Sequence, residues 1–170
     1  WQSSSFEFFL FKVAVKFNLT KRLFVWRQNY LVNKTARNIR KQIPSATFYA
    51  IGIGRHGRLA GFIADHRKDR LTIQDEHSWC RFYATSHVIV GVHGSGMLIP
   101  TALAAGFVEI LPRYKIRHIA EDIALNYSSR YMLFLGRHVD QFAKTGLVGR
   151  HIVSMIRDFP YVYKNTEQVV

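Results

Sequence analysis

The stretch Val88-Ile-Val-Gly-Val-His-Gly-Ser-Gly-Met97 places a histidine, a serine and two glycines directly after a β-branched run. Those residue types, in that order, suit the capture of a phosphate group. Gly94 and Gly96 let the chain turn sharply and leave no Cβ between the backbone and a ligand. Met97 to Ala105 reads as a short apolar helix, with Pro100 in or near its first turn and Gly106 as its stop. The start of such a helix offers unpaired N–H groups and a positive dipole end. Ser95 can add its hydroxyl to that site, or can serve only as a helix cap. His93 can donate to a phosphate oxygen, best when protonated, or can bond a backbone carbonyl instead.

Other residues carry chemistry of their own. Gly52-Ile-Gly-Arg-His-Gly57 is a G-x-G-x-x-G run after an expected strand, with Asp75 and Glu76 ~20 residues further on, as a dinucleotide site has. The helix that should follow is poorly patterned, because Gly61 interrupts it and no apolar stripe forms. A glycine loop that aims Arg55 and Arg58 at a ligand cleft fits these residues better. Arg27 falls at the end of an expected strand, where a guanidinium can neutralise a departing diphosphate. Asn33 and Arg37 follow it and also suit a helix start and a helix face. Asp75 and Glu76 can act as a base toward an acceptor hydroxyl, or can complement a helix dipole. Glu109 can hold a ribose hydroxyl or face solvent. The eight histidines show no H-x-x-x-H spacing and Cys80 is alone, so neither a disulfide nor a structural metal is expected.

These residues need a scaffold that alternates helix and strand. Helices are expected near Phe6–Phe17, Lys34–Gln42 with Asn33 as cap, Glu76–Thr85 with Asp75 as cap, Ile116–Leu125 and Leu147–Asp158. Strands are expected at Arg22–Trp26, Ala46–Ile53, Leu71–Ile73, Val88–Val92 and Phe107–Leu111, with an apolar segment at Tyr131–Leu135. Residues 54–69 read as a loop with a short helix. The run Val88–Val92 is expected to be buried on both faces. Strands alternating with helices imply an α/β fold, a Rossmann-like parallel sheet with helices on both faces. Ligands of such sheets bind beyond the carboxyl ends of the strands, where the His93–Gly96 turn falls.

The charge is unevenly spread. Residues 12–70 hold fourteen Lys or Arg against two acids, Asp65 and Asp69, so nearly all of the net +13 lies in the first half. Such a field attracts nucleic acid, an acidic membrane surface or phosphorylated small molecules. No apolar run approaches ~18 residues, so no membrane span is expected. The chain opens at Trp1, which points to a processed product or a piece of a longer protein.

The segment His93-Gly-Ser-Gly-Met97 resembles the His-Gly-Ala/Ser-Gly/Asn-Leu/Met signature of a glycosyltransferase family. That family has the GT-B fold and includes EGF-domain O-GlcNAc transferases, plant xylosyltransferases and bacterial relatives. Phe24-Val-Trp-Arg27 with Asn33, Gln74 to His87, Val108-Glu-Ile-Leu-Pro112 and Ile152 to Phe159 look like further elements of the pattern, in order, over roughly residues 20–160. The resemblance implies the second, donor-binding domain of a GT-B enzyme. Residues 1–20 would then be a linker or amphipathic helix, 21–160 the nucleotide-sugar domain and 161–170 a tail. It implies an inverting, metal-independent transfer from a nucleotide-sugar to a glycan, protein or lipid hydroxyl, with no cofactor besides the donor substrate. Donor contacts would fall to Arg27, Asn33, Arg55, His93, Gly94, Ser95, Gly96, Met97 and Glu109. An amino-terminal acceptor domain would be missing. A bacterial member would work in the cytoplasm and a eukaryotic one in the secretory lumen. The competing readings are a basic nucleic-acid or polyanion module and an NAD-binding domain using Gly52–Gly57.

Overall fold

Phe107-Val-Glu-Ile-Leu111 is the strand β4, and every one of its residues is buried. It lies between β3 (Ile89–Val92) and β5 (Gly136–Asp140) in a parallel three-stranded sheet of order β3-β4-β5. A strand hydrogen-bonded on both sides and covered on both faces should be almost wholly apolar, and Val108 is fully buried. Glu109 is the exception. β3 alternates half-buried and exposed residues, with Val90 39% and Val92 47% exposed. The expected burial of both its faces is therefore corrected: among the described residues β3 pairs with β4 alone, and one face stays open.

The computed structural model describes residues 9, 13, 20–54, 56–116 and 136–158. It is a mixed α/β structure with two small parallel sheets flanked by helices, consistent with a Rossmann-like α/β fold. The chain forms two compact units, residues 1–72 with 142–150, and residues 73–141 with 151–170. The expected helix Phe6–Phe17 lies outside the described residues except for Phe9 and Val13, both helical. Tyr131–Leu135, the tail from 161 and nearly all of the expected helix Ile116–Leu125 also lie outside them.

In the first unit, α1 runs unbroken from Thr20 to Gln42. This corrects the expected strand Arg22–Trp26 and the expected helix start at Asn33. The aromatic and β-branched run Phe24-Val-Trp26 favours a strand locally, but no glycine or proline interrupts the chain before Pro44. Asn29, Ala36 and Ile39, at helical spacing, are buried along one face, and tertiary packing overrides local propensity. β1 (Phe48–Ala50) pairs in parallel with β2 (Ile63–Asp65), which lies inside the expected loop 54–69. Ile63 is buried and Phe62 packs edge-on against Phe48.

The glycine loop between these strands is fastened by one guanidinium. Arg67 donates to both carboxylate oxygens of Asp65 at 2.8 Å, to the His56 carbonyl at 2.9 Å and to the Gly57 carbonyl at 3.0 Å. Asn29 of α1 reaches the same His56 carbonyl at 2.9 Å, and one turn further on Asn33 accepts the Ala60 N–H at 2.8 Å. Asp65 raises the Arg67 pKa above its ordinary value, against the pull of burial. No helix starts among the described residues His56–Phe62. A pyrophosphate of a dinucleotide needs that helix end, so the fingerprint at Gly52–Gly57 lacks its structural partner.

In the second unit, α2 (Ile73–Ala84) buries Trp79 and Ala84 and sets Asp75 and Glu76 in its first turn. The expected strand Leu71–Ile73 does not form, and Ile73 is the first helical residue. Residues Ser95–Met97 make a 3-10 turn that leads into α3 (Leu98–Leu103). The last described helix, α4 (Thr145–Asp158), contributes residues to both units and begins two residues before its expected start.

Replacing Arg67 with Met removes the guanidinium donors from the Asp65 carboxylate and from the His56 and Gly57 carbonyls. Urea unfolding should show a loss of about 2 kcal/mol, and an unchanged midpoint would mean that the network holds nothing together.

Candidate functional site

The buried carboxylate of Glu109 organises the face of the second unit's sheet. Cross-strand register sets Gly91, Glu109 and His138 side by side on β3, β4 and β5. His93 lies two residues beyond Gly91, so it shares that face. Its backbone N–H donates to the Ile110 carbonyl at 3.0 Å, which carries the ladder one residue past β3. The His93 Nδ1 lies 2.6 Å from Glu109 Oε2, and His138 Nε2 lies 3.4 Å from the same oxygen. An ionised carboxylate only accepts, so Nδ1 of His93 carries the proton. The side chains of His93 and Glu109 are 4% and 7% exposed, and that of His138 is 24% exposed. Phe107 packs edge-on against the His138 ring.

Burial pushes the Glu109 carboxyl up. The hydrogen bonds from His138 and His93, with their charges, push it down and prevail, so its pKa lies below the ordinary value.

Gly91 is where a side chain is missing from this face. A Cβ there would collide with Met97 Sδ, so the buried Met97 fills the place left by glycine. The chain then leaves the sheet at Gly94, whose φ of 157° and ψ of 178° suit glycine alone. A Cβ on Gly94 would also lie 2.9 Å from the Lys115 ammonium. The Met97 N–H closes the turn on the Gly94 carbonyl at 2.8 Å, and Ser95 and Gly96 stand exposed.

Lys115 ends a 3-10 turn, Arg113–Lys115, that follows β4 and Pro112. Its Nζ donates to the His93 carbonyl at 3.2 Å. That acceptor is neutral, and among the described residues no carboxylate pairs with this ammonium. The turn at the carboxyl ends of the parallel strands therefore combines exposed backbone, a serine hydroxyl and a cation. This chemistry favours an anion.

The expected site residues divide between the units. His93, Gly94, Ser95, Gly96, Met97 and Glu109 come together in the second unit. Glu109 does not face solvent, and Nδ1 of the His93 imidazole is held by its carboxylate. Arg27 and Asn33 belong to the first unit, on α1. The strand expected to present Arg27 is a helix, and Arg27 lies in its interior. Asn33 spends its side-chain oxygen on the glycine loop. Arg55 lies outside the described residues. Asp75 and Glu76 occupy the positive end of α2, where the helix dipole accounts for acidic residues. Among the described residues no group of three or more His, Cys, Asp or Glu side chains is arranged to hold a metal ion.

Two residues escaped the sequence. His138 sits in a strand with Arg137 and Asp140, too polar to read as a sheet element. Lys115 had one signal, a basic residue just past the end of a strong strand.

Glu109→Gln tests the cluster. The folded chain holds this carboxyl below the ordinary value of 4.5, so the unfolded chain binds more protons between the two values. The stabilisation is complete above that ordinary value and is lost as pH falls through the folded one. At neutral pH the variant should lose about 3 kcal/mol. Its thermal midpoint should then fall less steeply in acid than that of the wild type. Parallel acid profiles would exclude Glu109 as the titrating group.

Comparison of the chain with protein-family models, with curated proteins and with solved structures gives no match.

Proposed function

We propose that this chain binds a nucleotide-sugar donor and is the donor-binding part of an inverting, metal-independent glycosyltransferase. The observation that carries the reading is the Lys115 ammonium beside Gly94, where β3 leaves its parallel sheet. A nucleoside diphosphate has two linked phosphates, and a leaving diphosphate gains charge as the sugar departs. A cation held beside an exposed glycine turn stabilises that charge more in the transition state than in the ground state. The resemblance of His93–Met97 to a glycosyltransferase signature supplies the sugar, which the geometry alone does not.

The roles divide by burial. Ser95 and Gly96 are exposed and meet the diphosphate, with Lys115 as its counter-charge. His93 is buried against Glu109, so it acts as a positioning residue that fixes the turn. Met97 on Gly91 holds the turn from beneath. Attack would come from a hydroxyl of the acceptor on the anomeric carbon, and the bond to the diphosphate would break with inversion. Asp75 and Glu76 remain the candidates for the base.

The test is a calorimetric and thermal-shift titration of the whole chain with UDP, GDP and inorganic pyrophosphate. One nucleoside diphosphate should bind and outcompete pyrophosphate, and at about 100 times its Kd it should stabilise the fold by about 2.7 kcal/mol. Lys115→Ala should weaken it about tenfold, and Gly94→Val should remove it. If pyrophosphate binds as well as either nucleotide, the site is a plain anion site. If neither nucleotide binds, the donor reading fails.

A further inference from the structure

Helix α1 carries a pattern that the donor site does not use. Its 23 residues include seven Lys or Arg and no acid. Along the stripe opposite the buried Asn29, Ala36 and Ile39 lie Leu23, Trp26, Tyr30, Lys34, Arg37 and Lys41, at spacings of three and four. The first three are large and open: Leu23 is 62%, Trp26 68% and Tyr30 47% exposed. The last three are exposed cations. One stripe thus changes from apolar to basic along the helix.

We propose that this stripe of α1 docks the protein on an anionic phospholipid surface, with its Leu23–Tyr30 end in the acyl boundary and Lys34 to Lys41 among the headgroups. Three exposed cations on the stripe, Lys34, Arg37 and Lys41, on a helix without one acid, complement a negative surface, and each basic residue near such a surface adds to its attraction. Exposed Leu and Trp have no use for water, and interfacial helices bury such residues beside lipid. The same charges keep the helix on the membrane rather than through it, and no described helix is long and apolar enough to cross.

Single-stranded nucleic acid fits less well. Bases stack on open aromatic faces. Here Trp26 and Tyr30 stack on each other, with centroids 6.1 Å apart, and the Lys34 ammonium lies over the Tyr30 ring at 5.6 Å. Leu23, highly exposed beside them, offers nothing to a base.

Sedimentation of the full chain with vesicles tests this. The chain should bind phosphatidylcholine vesicles that contain phosphatidylserine, should ignore phosphatidylcholine alone, and should release with rising salt. The charge-reversed variant Lys34→Glu, Arg37→Glu, Lys41→Glu should bind about a hundredfold more weakly or worse, and Leu23→Ser with Trp26→Ser should also lose binding. Brominated lipid should quench the tryptophan fluorescence of the wild type, and Trp26→Phe should remove most of that quenching without disturbing the fold. Binding to neither vesicle, or no quenching by brominated lipid, would overturn the proposal. So would an oligonucleotide that binds more tightly than the vesicles and is lost in the same variants.

Discussion

A carboxylate in the middle of a buried strand is expensive unless its charge is answered. Glu109 occupies the centre of β4, where every neighbour along the strand is buried. Leaving it unpaired would cost several kcal/mol, on the order of 3–5. Two imidazoles answer it, one from the end of β3 and one from β5, and a single oxygen of the carboxylate serves both. The sheet's three strands are therefore tied across one face as well as along their edges. The same contact fixes His93, and His93 is the last residue of the ladder before the chain turns away. The geometry of the Gly94–Gly96 turn thus depends on a charge two strand positions back in the sheet. Lys115 completes the arrangement by donating to the His93 carbonyl.

The first unit solves a similar problem with the opposite sign. Its glycine loop has backbone carbonyls and few side chains to hold them. Arg67 gathers two of those carbonyls and the Asp65 carboxylate on one planar fork, and Asn29 and Asn33 reach in from α1. A guanidinium suits this because its donors point in fixed directions and it keeps its charge when partly buried. With these polar residues turned inward, the outward stripe of α1 is left to Leu23, Trp26, Tyr30, Lys34, Arg37 and Lys41, all of them exposed.

How much could be read in advance depended on range. The run from Val88 to Leu111 was legible because its signals are local: β-branched residues, then glycines, a short apolar helix, then a second strand. Structure and expectation agree there within a residue or two, apart from the open face of β3. α1 was misread because Phe24-Val-Trp26 has strand-like residues, while the pattern that makes it a helix spreads over Asn29 to Ile39. β2 and β5 were missed because a strand of three residues is too short to show a period and the five of β5 are mostly polar or glycine. Their stability comes from a parallel neighbour already in place.

The sequence by itself determined the class of the fold, the turn after β3 and the concentration of positive charge in the first half. Each of these follows from residue type and from neighbours a few positions away. Tertiary structure alone decided what the functional groups touch. Glu109 could have faced solvent, His93 could have left the carboxylate to other partners, His138 carried no mark of a site, and Lys115 only its place just past a strong strand. Those outcomes turn on strand register and burial, which bring together residues 16 to 29 positions apart in the chain. A carboxylate's partner is chosen by what else is buried beside it, and only the folded sheet supplies that list.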